Sequence, residues 1–130
     1  EKMLYGFLLS YPGIPCIYYG EEVGMEGGAD PDCRRPMDWS RESWDLPHLS
    51  FLQHLIRLRN SLPVLHRGDY RPLTVAGRFG FRRKWKNEEF WALFCKGSRQ
   101  KPDLPEGFQI LVECGDGPSS PSFLWAVRRT

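Results

Sequence analysis

The sequence predicts an α/β segment followed by an all-β, antiparallel one. Apolar residues recur at helical spacing at both ends of the first 62 residues. Between them lies a short, unalternating apolar run of the kind that forms a strand buried on both faces. After Pro63 the helical period gives way to short apolar segments separated by turn formers. We place a division here, with residues 1–65 as one unit and residues 66–130 as another. Charge divides the same way. The first unit holds 6 basic and 9 acidic side chains, net −3, and the second 12 and 7, net +5.

The elements follow in order. In residues 2–11, Leu4, Phe7, Leu8 and Tyr11 mark a helix that Pro12-Gly13 stops. Ile14-Pro15-Cys16-Ile17-Tyr18-Tyr19, between Gly13 and Gly20, reads as a strand of a parallel sheet, which needs neighbours that this stretch does not supply. Residues 20–39 are rich in Gly, Asp, Glu and Pro and form a long loop. Leu49, Leu52, Leu55, Ile56, Arg59 and Leu62 then give an amphipathic helix between Pro47 and Pro63. In the second unit Phe79/Phe81 and Phe90/Ala92/Phe94 alternate. Trp91 and Leu93 fill the other face of the latter strand, which makes it interior. Residues 108–112 and 123–127 are further strands, Lys86-Asn87-Glu88 is a hairpin turn, and residues 97–107 and 115–122 are loops. About five short strands without a helix predict a small antiparallel sandwich.

Composition narrows the function classes. The 130 residues suit one domain or less. With 41% apolar and 14% aromatic residues, disorder is excluded. No apolar run is long enough to span a bilayer, and no signal peptide is visible. The chain opens on Glu1-Lys2-Met3-Leu4-Tyr5, which reads as the middle of a helix and predicts a piece of something longer. The cysteines, at positions 16, 33, 95 and 114, match no metal or redox spacing. They are expected to be reduced packing residues, which points to the cytoplasm. A net charge of +2 argues against nucleic acid as a partner. The basic run at 82–86 is expected to be a solvated hairpin end.

Pro12-Gly13-Ile14-Pro15-Cys16-Ile17-Tyr18-Tyr19-Gly20-Glu21-Glu22-Val23-Gly24-Met25 resembles the eighth barrel strand, and the loop after it, of the α-amylase superfamily, glycoside hydrolase family 13. Gly27-Gly28-Ala29-Asp30-Pro31-Asp32-Cys33-Arg34-Arg35-Pro36-Met37, followed by Trp39, is similar to its neopullulanase, cyclomaltodextrinase and maltogenic amylase branch. Leu58-Arg59-Asn60-Ser61-Leu62-Pro63 and then Arg67-Gly68-Asp69-Tyr70 fit the same layout; beyond residue 70 only the layout matches. The resemblance implies the last βα unit of a (β/α)8 TIM barrel followed by a C-terminal antiparallel β-sandwich domain. It implies the C-terminal part of a retaining α-glucan glycoside hydrolase acting on maltooligosaccharides, cyclodextrins or pullulan, with α-1,4 and α-1,6 bonds both within the family's range. The family's catalytic carboxylates lie on earlier strands, the last in an asparagine-histidine-aspartate-like motif. No such motif occurs here, since His48, His54 and His66 have no aspartate beside them. The expectation is therefore no catalytic residue and no glycosidase activity in this chain alone. No cofactor is expected; calcium belongs to the superfamily's range, but no ligand cluster is legible. Relatives of this branch dimerise through an N-terminal domain, so the resemblance admits a homodimeric parent.

Asp30 and Arg34 are the substrate-binding candidates. Four residues apart, they can simply brace the loop as an ion pair. The resemblance gives them a second role, holding sugar hydroxyls on the non-reducing side of the cleavage point, which a carboxylate and a guanidinium fork suit. Glu21 and Glu22 are read as structural acids, and Asp32 and Arg35 are not assigned to the sugar. Tyr18 and Tyr19 are expected to pack within the barrel end, and Trp39 to anchor the loop. A competing function is a non-catalytic carbohydrate-binding or scaffold β module, which would require exposed aromatics across the sheet.

Overall fold

The computed structural model describes residues 2–95, 100–115 and 121–130. Helix α1 (Lys2–Ser10) ends at Tyr11-Pro12-Gly13. Helix α2 (Leu46–Ser61) starts where the Asp45 carboxylate accepts from the His48 amide at 2.9 Å, with Pro47 in its first turn. Pro63 ends its pattern and opens the short helix α3 (Pro63–Arg67). Strands β1 (Arg71–Val75), β2 (Arg78–Trp85), β3 (Glu88–Phe94), β4 (Gln109–Gly115) and β5 (Pro121–Arg129) then form one antiparallel sheet in the order β1-β2-β3-β5-β4.

Alternation along the strands decides the two faces. Phe90, Ala92 and Phe94 of β3 join Phe81, Phe123, Trp125 and Val127 in a core completed by Leu9 of α1, Leu52 and Leu55 of α2, and Val64 and Leu65 of α3. On the other face Leu93, Leu124 and Ala126 are covered by Leu73, Trp91, Leu104, Phe108 and Ile110. The central position expected for the Phe90–Phe94 segment is therefore found. At its closest approach to the sheet, α1 has Gly6, where an added Cβ would stand 2.7 Å from a ring carbon of Phe123. That space lets the Trp125 indole donate to the Gly6 carbonyl at 3.1 Å.

Two arginines join the helices to the sheet and to each other. Arg59, 6% exposed, donates to the carbonyls of Leu9 (2.6 Å), Tyr11 (3.5 Å) and Gly13 (2.7 Å). Arg83, 3% exposed, donates to those of Ser10 (3.4 Å), Leu65 (2.6 Å), Gly68 (2.9 Å) and Asp69 (3.3 Å). Carbonyls at a helix C-terminus lack intrahelical partners, and these two guanidinium groups supply them. Burial pulls the pKa of both arginines down, and for Arg83 the nearby charge of Arg59 adds to it.

Several expectations are corrected here. Residues 14–19 form no strand: Ile14 is 98% exposed, and no described strand lies beside this run to complete a ladder. The described strands make one sheet, with helices on one face in place of a second sheet. Strand β1 was not foreseen, because Arg71, Pro72 and Thr74 dilute its apolar signal; the tight turn at Ala76-Gly77, both at positive φ, pairs it to β2. The basic run is not uniformly solvated, since Arg83 points into the core. Cys95 is buried, but Cys16 and Cys33 are exposed, and none of the four is in a disulfide. The expected loops at 97–107 and 115–122 lie partly outside the described residues.

Two outcomes follow for stability. Arg59→Ala and Arg83→Ala each leave buried carbonyls without donors and are expected to lower stability by about 2–4 kcal/mol in urea denaturation; lysine, with no fork to span three carbonyls, restores only part. Glu89, nearly buried, accepts from the Trp91 indole (2.9 Å) and Arg128 (2.7 Å). Burial raises its pKa, but those hydrogen bonds and the charges of Arg128 and Arg82 outweigh it, so the carboxyl sits below the ordinary carboxylate range. Its ionised form stabilises the fold above the unfolded-state value, and this contribution is lost as pH falls through the depressed folded value. Stability measured from about pH 6 to about pH 3 should fall less steeply in Glu89→Gln than in the wild type.

Candidate functional site

The long loop is built from short local turns. Gly20 and Gly24, at φ 90° and 75°, bracket a 3-10 turn at Glu21–Val23. The Glu21 carboxylate accepts from the Tyr18 amide (3.2 Å) and that of Glu22 from the Gly20 amide (2.8 Å), so both acids do the structural work expected of them. The turn is fastened to α2 at two points. The Asp45 amide donates to the Val23 carbonyl at 2.9 Å, and His48 Nε2 lies 3.1 Å from the Glu21 carbonyl. A carbonyl can only accept, so Nε2 carries the proton. The Tyr5 ring meets the buried His48 ring edge-on at 5.4 Å.

A second 3-10 turn, Asp32–Arg34, carries the candidate pair. Arg34 Nε donates to Asp30 Oδ1 at 3.1 Å, and Arg34 Nη2 joins the same oxygen in an ion pair. Arg35 Nη2 forms an ion pair with the Asp32 carboxylate while its Nε donates to the Asp32 carbonyl at 3.3 Å, and the Arg35 carbonyl accepts from the Tyr19 hydroxyl at 2.9 Å. Both side chains of the first pair are about two-thirds exposed. Such a pair stabilises a loop by at most about 1 kcal/mol, so its polar atoms can exchange partners with a ligand at little cost.

Arg34 opens onto a groove of about 840 Å³, bounded by Tyr5, Tyr18, Tyr19, Glu21, Met25, Glu26, Cys33, Arg35 and His48. That volume lies within the range of small-molecule sites. The groove offers carboxylate acceptors, guanidinium donors and two tyrosine faces with centroids 4.6 Å apart, a set suited to a ligand rich in hydroxyls. The Tyr18 hydroxyl is held above the ordinary tyrosine pKa, first by its hydrogen bond with Tyr19, then by burial and by the neighbouring Tyr19 and Cys33. Asp30 contributes through Arg34. A separate cavity of about 630 Å³, lined by Leu9, Ile14, Ile17, Ile56, Arg59 and His66, is more apolar and carries no comparable donor set.

Three readings change. Tyr18 and Tyr19 are 49% and 43% exposed and line the groove. Trp39 is 77% exposed and anchors nothing; Trp44 does, donating from its indole to the Asp38 carbonyl at 2.8 Å. His48 and Tyr5 were not foreseen at the groove, although Asp45-x-x-His48 ahead of an apolar run is a legible helix start that would have brought His48 beside the loop. Among the described residues no cluster of three or more His, Cys, Asp or Glu could hold a metal.

No protein-family model matches the chain. It is 38% identical over 101 residues to the cyclomaltodextrinase of Thermoanaerobacter pseudethanolicus, covering 77% of this chain and 18% of that one. It is 49% identical over 65 residues to neopullulanase 2 of Thermoactinomyces vulgaris, covering 50% and 11%. The crystal structure of the maltogenic amylase from S. marinus superimposes with a TM-score of 0.81 at 30% identity, over 98% of this chain and 19% of that one. The chain is homologous to members of glycoside hydrolase family 13. It spans less than a fifth of the length of these enzymes. The helices and the antiparallel sheet thus reproduce part of the fold of the homologous enzymes.

The tie between α2 and the loop can be tested directly. His48→Ala should speed hydrogen exchange at the amides of Val23, Gly24 and Met25 while leaving those of β3 unchanged, as read by mass spectrometry or NMR.

Proposed function

We propose that this chain is the C-terminal part of a retaining α-glucan glycoside hydrolase, neopullulanase-like or cyclomaltodextrinase-like, and that Asp30 and Arg34 hold a glucosyl unit away from the bond being cut. The observation that carries the reading is the Asp30–Arg34 pair, exposed and standing at the edge of a groove lined by tyrosines and further charged groups. Homology to enzymes named cyclomaltodextrinase and neopullulanase supports an α-glucan as the substrate class. In this reading residues 1–65 complete a (β/α)8 barrel, with residues 14–19 becoming its eighth strand once neighbouring strands are present. Residues 66–130 form the C-terminal β domain, and the two carboxylates that cut the bond come from outside this chain. The enzyme works in the cytoplasm on α-1,4 and α-1,6 glucosidic bonds and forms a homodimer.

The β-module alternative asks for aromatic faces spread across the sheet. Of the described strand aromatics, Phe79 is the exposed large one, and it is stacked on Phe94 at 5.5 Å. That leaves no row of rings for a sugar chain among the described residues.

The chain alone should not hydrolyse pullulan or cyclodextrin, but it should bind maltooligosaccharides. Losing one hydrogen bond to a charged partner weakens binding by roughly 10- to 150-fold, which is the effect expected for Asp30→Ala and Arg34→Ala in isothermal calorimetry, with the melting temperature nearly unchanged. Equal affinity with a lowered melting temperature would return the pair to bracing the loop.

A further inference from the structure

Trp39 is an indole set two residues before a hydrogen-bonded turn and left in the open. The residue is 77% exposed, which is unusual for a side chain whose burial would stabilise the fold. The residues on either side of it, by contrast, are held by hydrogen bonds. The Asp38 carboxylate accepts from the Ser40 amide (2.9 Å) and the Ser43 hydroxyl (2.7 Å), and the Asp38 carbonyl accepts from the Trp44 indole (2.8 Å). The Ser43 hydroxyl also lies 2.7 Å from the Ser40 carbonyl. The Asp38 carboxyl is pulled below its ordinary pKa by Ser43 and Ser40, so it stays ionised and keeps these contacts at neutral pH. The turn thus orders the segment while directing none of its packing at Trp39.

We propose that Trp39 is an aromatic platform on which one pyranose ring of an α-glucan stacks, a second contact point beyond the pair at Asp30 and Arg34. The surroundings favour a sugar over a protein surface. Its sequence neighbours Asp38, Ser40, Arg41 and Glu42 are all polar and exposed. A small apolar face within a polar rim matches a pyranose, whose C–H face is apolar and whose edge carries hydroxyls. The reach is sufficient. Trp39 lies five positions after Arg34, so their Cα atoms are within about 18 Å of each other, a span that one oligosaccharide can bridge. This inference rests on the proposed α-glucan reading and extends it to longer substrates, because a short sugar held by Arg34 would not touch the indole.

The test titrates the 130-residue chain with maltoheptaose and with maltose, following the Trp39 indole N–H resonance by NMR, assigned through Trp39→Phe. Maltoheptaose should shift that resonance and maltose should not. Trp39→Ala should bind maltoheptaose about tenfold more weakly, Trp39→Phe should stay within about threefold of the wild type, and both should melt with the wild type. If the wild type binds maltoheptaose and Trp39→Ala binds it equally well, the platform is overturned while the Asp30–Arg34 reading stands. If the wild type binds no maltooligosaccharide, both fall. Protection of the Trp39 indole from acrylamide quenching in the sugar-free protein would show it covered by protein, which also overturns the platform.

Discussion

Two buried guanidinium groups fasten the helical half of this chain to its sheet. Arg59 reaches from α2 to the carbonyls where α1 ends, and Arg83 reaches from the middle of β2 to the ends of α1 and α3. Among the described residues neither forms an ion pair with a carboxylate, although the Asp69 charge acts on Arg83. A guanidinium has five N–H donors in one plane, and here they meet carbonyls that would otherwise be buried without partners. Removing such a group costs more than forming it gains, since each orphaned carbonyl carries its full desolvation penalty. The apolar core of Leu9, Leu55, Phe81, Phe90 and Trp125 can pack only because these polar ends are satisfied.

The same arrangement positions the groove. Arg59 holds the Gly13 carbonyl and so fixes where the chain leaves α1 on its way to Tyr18 and Tyr19. At the other end, Asp45 and His48 fix the first turn of the loop against α2. Between these anchors the loop is stabilised by short-range contacts: Glu21 and Glu22 on nearby amides, Arg34 and Arg35 on carboxylates within four residues. Local bonds of this kind set shape without using up the outward-facing charge.

What could be read from the sequence follows from the range of each signal. The periodicity in α2 and the alternation through Phe90–Phe94 are local, and both gave the right element on the right face. The helix stops at Pro12-Gly13 and Pro63 were legible for the same reason. Residues 14–19 form no strand here because strand formation depends on neighbours and not on the run itself. Arg83 was misread because a basic run at a hairpin looks solvated until the fold shows carbonyls converging on one member. The loop chemistry was half legible: motif resemblance singled out Asp30 and Arg34, but nothing short-range tells an anchoring indole from an open one, so the anchor is Trp44 where Trp39 was expected.

The bond from the Trp125 indole to the Gly6 carbonyl joins residues 119 apart in sequence, and it bears on the order of assembly. Closing so long a loop carries an entropy cost that only the finished sheet can offset. Helix α1 can meet α2 through Arg59 without the sheet, but its contact with Trp125 and Phe123 waits for β5. The part of its face around Gly6 thus depends on a strand more than a hundred residues further along. A glycine and a tryptophan, far apart in sequence, thus mark whether the first helix and the last strand have come together.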